Sequence, residues 1–155
     1  MTGGQYSPTT PYGAFAATAI YGNIEHAFSI AELAVAAGAG MVSRGTVYHT
    51  SMLDELIAKA ILKPGFSVVE VVSHCHTQYG RRNNMDSPVE MLRWQKETAV
   101  RVEKSKEMTL EQLRGKFTIG ILADRDLPVY TEEYEKVREA ARARALERGK
   151  PDGKV

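Results

Sequence analysis

Cysteine is nearly absent from this sequence: a single residue, Cys75, in 155. One cysteine excludes an internal disulfide and any zinc site built from CxxC pairs, and it fits a reducing, cytoplasmic setting. No apolar run nears the ~20 residues of a membrane-spanning helix. No basic stretch followed by an apolar one opens the sequence, so no secretory signal is read there. Excess charge is lacking too. Twenty Lys and Arg against nineteen Asp and Glu leave +1, which removes the bulk electrostatic case for nucleic acid or an acidic membrane surface as partner. Internal repeats and low-complexity linkers are also missing. What is there is ordinary: 43% hydrophobic and 25% charged residues, as in globular domains, and enough length for a sizeable core.

The opening MTGGQYSPTTPYG combines paired glycines, hydroxyl residues and proline. Gly-Gly lets a backbone approach a phosphate closely and present N–H groups to it. The same composition also suits a polar terminal tail. From Gln5 to Ala27 no period emerges, and the segment reads as an extended loop. Ser29-Ile-Ala-Glu32 is a capping box flanked by a Phe28–Leu33 staple, so a short helix follows, stopped at Gly38. Met41 to Val47 reads as a strand. Ser51 starts a second helix with Leu53, Leu56, Ile57, Ala60 and Ile61 on one face, ended by Pro64-Gly65. Phe66 to Ser73, rich in Val, is the strongest strand and reads as buried on both faces. Strand, helix, strand makes a βαβ unit with parallel neighbours. Ser87-Pro-Val-Glu90 and Thr109-Leu-Glu-Gln112 are further capping boxes. Phe117 to Ala123 is a third strand, and a mixed-charge helix closes the chain, solvated or docked on a partner. The fold class is therefore α/β, with residues 1–125 as the main domain and 126–155 as a charged helical extension.

Cys75 falls at the C-terminal end of the second strand, the edge at which open α/β sheets bind ligands. Three readings stand at this point. Alternation in an extended segment would turn His74 and His76 one way and Cys75 the other, against a compact chelate. A nucleophile needs a base, which His26 or His49 could supply only through the fold. A buried free thiol is the third. Arg81 and Arg82 follow in the same loop, as solvated charges or as a clamp for a carboxylate or phosphate.

Taken together, MTGGQYSPTTPYG, GNIE, AAGAGMVSRGTV and GFSVVEVVSHCHTQYGRRN, in that order and spacing, resemble the β subunit of 2-oxoacid:ferredoxin oxidoreductases, the 2-oxoglutarate type above all. SPVEMLRWQKE and IGILADRDLPVYTEEYEKV resemble that subunit's C-terminal part. The resemblance implies part of a thiamine-diphosphate-binding, doubly wound, mostly parallel sheet. It implies an enzyme that decarboxylates a 2-oxoacid, captures the acyl group on coenzyme A, and passes electrons through a 4Fe–4S cluster to ferredoxin. Its cofactors would be thiamine diphosphate, Mg2+ and that cluster. Its partners would be an α subunit, ferredoxin, the 2-oxoacid and coenzyme A, with no nucleic acid and no membrane. Thr2, Gly3, Gly4 and Gln5 map onto the loop beside the diphosphate and metal. Ser7 and Thr9 map near cofactor and substrate. Cys75 maps onto the isolated late cluster ligand, where the family often has a preceding proline and this sequence has His74. The family's early cysteines, its Gly-Asp-Gly segment and the Asn that hold magnesium are not in this sequence. The expectation is the C-terminal portion of a β subunit, inactive alone. Pyruvate- or branched-chain-specific machinery and a non-catalytic interaction fragment remain as alternatives. The resemblance identifies no catalytic residue.

Overall fold

The computed structural model describes residues 3–148. Thr2 lies outside the described residues. The chain divides into two compact units, one running to Arg125 and one starting at Asp126.

The first unit is built on a four-stranded sheet of β1 (Met41–Thr46), β2 (Ser67–Val72), β3 (Ala99–Arg101) and β4 (Phe117–Asp124), in the order β2-β1-β4-β3. β1 and β2 are parallel from Met41↔Ser67 to Thr46↔Val72, with α2 (Thr50–Leu62) between them, so the βαβ unit is present. β3 and β4 are also parallel. β4 runs antiparallel to β1, with a register shift between Val42 and Ser43. The sheet is thus mixed, with two of the three described pairings parallel.

Two faces of β1 are covered differently. α1 (Ile30–Ala36) lies over the Val42 side, where Ala31, Ala39 and Val42 are buried with Ala34, Val35, Val68, Leu122 and Ala123 around them. Small side chains there let helix and sheet approach closely. On the other face α2 packs against Gly45, where a Cβ would stand 2.9 Å from Leu53 Cδ1. Of α2's apolar face only Leu56 is fully buried, and Ile61 is 77% exposed.

Local signals were realised unevenly. Ser29 Oγ accepts from Glu32 N as the α1 cap, and Thr109 with Gln112 forms both arms of a capping box on α5 (Leu110–Leu113). Ser87 caps α3 (Pro88–Thr98) by position alone, without a side-chain hydrogen bond. β3 and α4 (Val102–Ser105) follow α3 directly: the backbone turns extended at Ala99 and buries Val100. β2 is not buried on both faces. Among the described residues it is an edge strand, with β1 alone beside it, and its residues are half-buried or exposed.

Arg44 ties these layers. Its Nε donates to Glu70 Oε2 at 2.7 Å, its Nη2 to Ser29 Oγ at 2.7 Å, and its Nη1 to the Thr118 carbonyl at 3.4 Å. One guanidinium therefore joins β1, β2, β4 and the α1 cap, and its fixed fork suits that task.

The second unit holds α6 (Tyr130–Arg148). Tyr130 and Tyr134 stack at 5.8 Å, and the pairs Glu133–Lys136 and Glu135–Arg138 lie three residues apart on its surface. Among the described residues no helix is long and apolar enough to cross a membrane.

Replacing Glu70 by Ala strands a mostly buried guanidinium. We expect a loss of about 2 kcal/mol in urea unfolding. A change under about 0.5 kcal/mol, as for an exposed pair, would contradict the role given to Arg44.

Candidate functional site

Thr46 ends β1 and Val72 ends β2 at the same edge of the sheet. Gln95 of α3, 1% exposed, clamps this edge: its Oε1 accepts from Tyr48 N at 3.1 Å and its Nε2 donates to the Val72 carbonyl at 3.3 Å. Beyond Val72 the chain runs through Ser73 and His74 to Cys75, then turns into a single π-helical turn, His76–Gly80. The sequence suggested an open loop there. The turn is tight because Gly80 is buried. Gly80 N donates to the Cys75 carbonyl at 2.9 Å and Met85 N to the Gly80 carbonyl at 2.7 Å. A Cβ on Gly80 would run into the Met85 carbonyl.

Cys75 occupies the cap position of that turn and is half-buried. Backbone N–H groups of the turn act on its sulfur. The Tyr79 N–H is the largest influence. Partial burial opposes it, while the Gln78 N–H and the Thr77 hydroxyl, 3.8 Å from Sγ, reinforce it. The thiol falls from 9.0 to about 7. Near neutrality a large share is thiolate, the form that binds metals. His74 and His76 stack on each other at 6.0 Å, although both lie beyond the end of β2 and His76 already belongs to the turn. Among the described residues no three His, Cys, Asp or Glu side chains converge on a metal position. The two candidate bases are engaged with other groups. His49 Nδ1 is 2.8 Å from Thr46 Oγ1, with its pKa lowered by burial and by Arg101, and His26 stacks on Tyr12.

The glycine loop lies against this turn. Gly4 is buried with φ 77°, and a Cβ there would meet Gln78 Oε1 at 2.7 Å. The Gly4 carbonyl accepts from Ala17 N at 2.6 Å. Gly3 N donates to Gln5 Oε1 at 3.0 Å, so Gln5 holds the loop by its own side chain. Asn83 closes the arrangement. Its Oδ1 accepts from Phe15 N at 2.8 Å, and its Nδ2 donates to the Phe15 carbonyl at 3.0 Å and the Tyr79 carbonyl at 2.8 Å. The loop begun by Gly3 and the turn begun by Cys75 are thus one assembly. Ser7 and Thr9 sit further along, their hydroxyls 2.9 Å apart, and Thr9 lines an open concavity with Arg44, Glu70 and Trp94. Arg81 and Arg82 are exposed, Arg82 reaching Gln78 Oε1 at 3.4 Å.

Sequence reasoning missed Gln78, Asn83 as a clamp, and Gln95. The signal available for Asn83 was its place three residues after Gly80. For Gln95 it was a lone amide on the apolar side of α3.

No protein-family model matches the chain. The 2-oxoglutarate synthase subunit KorB of Methanocaldococcus jannaschii is 45% identical over 139 residues, 90% of this chain and 52% of that protein. The subunit of the same name from Methanothermobacter thermautotrophicus is 42% identical over 147 residues, 95% of this chain and 51% of that protein. The solved 2-oxoglutarate:ferredoxin oxidoreductase from Magnetococcus marinus, with 2-oxoglutarate, coenzyme A and succinyl-CoA bound, superposes with a TM-score of 0.70 at 22% identity, over 97% of this chain and 54% of that one. That likeness speaks to the fold. The chain belongs to the β-subunit family of the 2-oxoacid:ferredoxin oxidoreductases. It spans about half the length of the curated relatives it matches, which fits the expected C-terminal portion.

Two outcomes follow. Alkylation of Cys75 by iodoacetamide should rise with pH around a midpoint of about 7. The thiolate's contribution to stability is fully present above the ordinary 9.0 and is lost as pH falls through about 7. A midpoint near 9.0 would remove the N–H cradle. Asn83→Ala should cost about 1–2 kcal/mol and speed amide exchange in 12–17 well above the rest of the chain. Unchanged exchange there would show that the two loops are held by something else.

Proposed function

We propose that this chain serves as part of the thiamine-diphosphate subunit of a 2-oxoglutarate:ferredoxin oxidoreductase, which converts a 2-oxoacid and coenzyme A to acyl-CoA and passes the electrons to ferredoxin. The observation that carries the reading is the placing of Cys75 at the cap of a π-helical turn that forms one assembly with the Gly3–Gln5 loop, its thiol lowered to about 7 by the Tyr79 and Gln78 amides. The relatives' names favour 2-oxoglutarate over pyruvate or a branched-chain acid.

The residues fit an iron–sulfur cluster as one ligand. Such clusters are held by four thiolates, and N–H groups aimed at a sulfur tune the reduction potential. This sequence has one cysteine, so the other three thiolates must come from another polypeptide segment. When bound, the cluster would accept and relay single electrons. Cys75 holds its charge ready through the Tyr79 and Gln78 amides.

Toward thiamine diphosphate the fit is partial. Gly4, at positive φ beside the Cys75 turn, gives the close backbone approach that a diphosphate requires, and Thr2 precedes it in sequence. The Gly3 N–H is held by Gln5 and would have to exchange that partner for a phosphate oxygen. Among the described residues no acidic cluster could hold magnesium. When bound, thiamine diphosphate supplies the carbanion chemistry of decarboxylation. Here the chain's part is to position one wall of its pocket. Ser7 and Thr9 present hydroxyls on the substrate side, and exposed Arg81 and Arg82 face an anionic group or the α subunit. A non-catalytic interaction fragment is the rival reading, favoured by the single cysteine and by the lack of an acidic cluster among the described residues.

In the assembled complex, Cys75→Ala should lower iron content and abolish most ferredoxin reduction, with thiamine diphosphate retained. Full iron and full electron transfer would refute the ligand role and leave the rival.

A further inference from the structure

The two loops that meet at Asn83 carry formal charge of one sign. Residues 1–24 contain no charged side chain, and residues 73–85 contain Arg81 and Arg82 but no Asp or Glu. Elsewhere in the sequence acids and bases are mixed, for a total of +1.

Gln78 stands where these loops touch. Its side chain lies on Gly4: a Cβ on Gly4 would stand 2.7 Å from Gln78 Oε1 and 3.3 Å from its Cδ. Arg82 Nη2 donates to the same Oε1 at 3.4 Å. A guanidinium can only donate, so the amide oxygen is the atom Arg82 holds and the amide nitrogen is left over. Gln78 Nε2 donates to nothing among the described residues. The buried side-chain atoms that lack a partner are Ser43 Oγ, Ser67 Oγ and His74 Nδ1, so Nε2 is open to a ligand.

Gly4 adds an independent observation. The residue is buried, and its carbonyl accepts from Ala17 N at 2.6 Å. Its N–H meets no acceptor among the described residues. Buried backbone donors are nearly always paired, so one left over marks a place for an acceptor from outside. Two free donors with a guanidinium behind them, and no carboxylate in either loop, suit an anion and not a cation.

We propose that Gln78 is a cofactor-binding residue: its Nε2 donates to a diphosphate oxygen of thiamine diphosphate seated at Gly4, and Arg82 is the positioning residue that holds the amide by its oxygen. The inference rests on the proposed function for the kind of cofactor. It adds a side-chain contact from the turn of Cys75, so that the segment offering the cluster ligand also grips the cofactor. Coenzyme A carries a diphosphate too, and the test separates the two.

The assembled complex, stripped of thiamine diphosphate, is titrated by calorimetry with that cofactor and Mg2+, and separately with coenzyme A. Gln78→Glu keeps the shape and the Arg82 contact but turns the donor into an anionic oxygen. It should weaken thiamine diphosphate at least about tenfold, the scale of one hydrogen bond to a charged group. Coenzyme A affinity, iron content and the unfolding midpoint should stay as in the parent. Gln78→Met, which keeps bulk against Gly4, should weaken the cofactor about threefold to tenfold. Arg82→Met should weaken it in the parent and add nothing to Gln78→Met. Parental affinity in Gln78→Glu would overturn the inference. So would an equal loss with coenzyme A, or a loss that in both Gln78 variants comes with lost iron or a lower midpoint, the mark of a structural role. A parent complex that binds no thiamine diphosphate would overturn the proposed function itself, and this inference with it.

Discussion

The arrangement depends on the Asn83 side chain. One amide satisfies both backbone groups of Phe15 and the carbonyl of Tyr79. Without it, the backbone N–H and carbonyl of Phe15 would lose their partner, and the loop carrying Gly3 and Gly4 would lose its hydrogen bonds to the turn carrying Cys75. With it, the Tyr79 amide that lowers the Cys75 thiol and the Gly4 backbone against Gln78 belong to one hydrogen-bonded assembly. The chemistry proposed for this edge rests on that coupling, because a ligand and a cofactor wall must hold a fixed separation to act together.

The sheet supplies the platform. Parallel pairing of β1 and β2 brings Thr46 and Val72 to one edge, and Gln95 locks that edge by joining Tyr48, just beyond β1, to Val72 of β2. Arg44 does the corresponding work across the sheet face. Both are polar side chains that are almost or mostly buried, and both are satisfied by partners from more than one element. Such groups specify register at the expense of desolvation, and removing one partner leaves the other exposed to the full penalty.

Much of the scaffold was legible in the sequence. Val-rich β2, the breakers Pro64-Gly65 and the Ser29 and Thr109 caps gave the strands and helices nearly where they stand. Periodicity could not give the antiparallel β1–β4 pairing, because partners such as Met41 and Asp124 lie far apart in sequence. The burial of β2 was misjudged for a related reason. An apolar run reports what a strand can bury, while its neighbours decide what it does bury, and β2 has one. β3 was hidden inside an alternation of charged and apolar residues that suits a helix as well as a strand.

The site was legible in part. The position of Cys75 after β2 followed from the βαβ pattern, and its mapping to a cluster ligand came from the resemblance. The single π-helical turn that cradles the sulfur carries no periodic signal, since it spans five residues and depends on Gly80 fitting beneath Met85. The most direct test of the central claim is X-ray absorption at the selenium edge of the assembled complex with Cys75 replaced by selenocysteine. The account predicts an iron neighbour bonded to selenium. A selenium with only light-atom neighbours would contradict it.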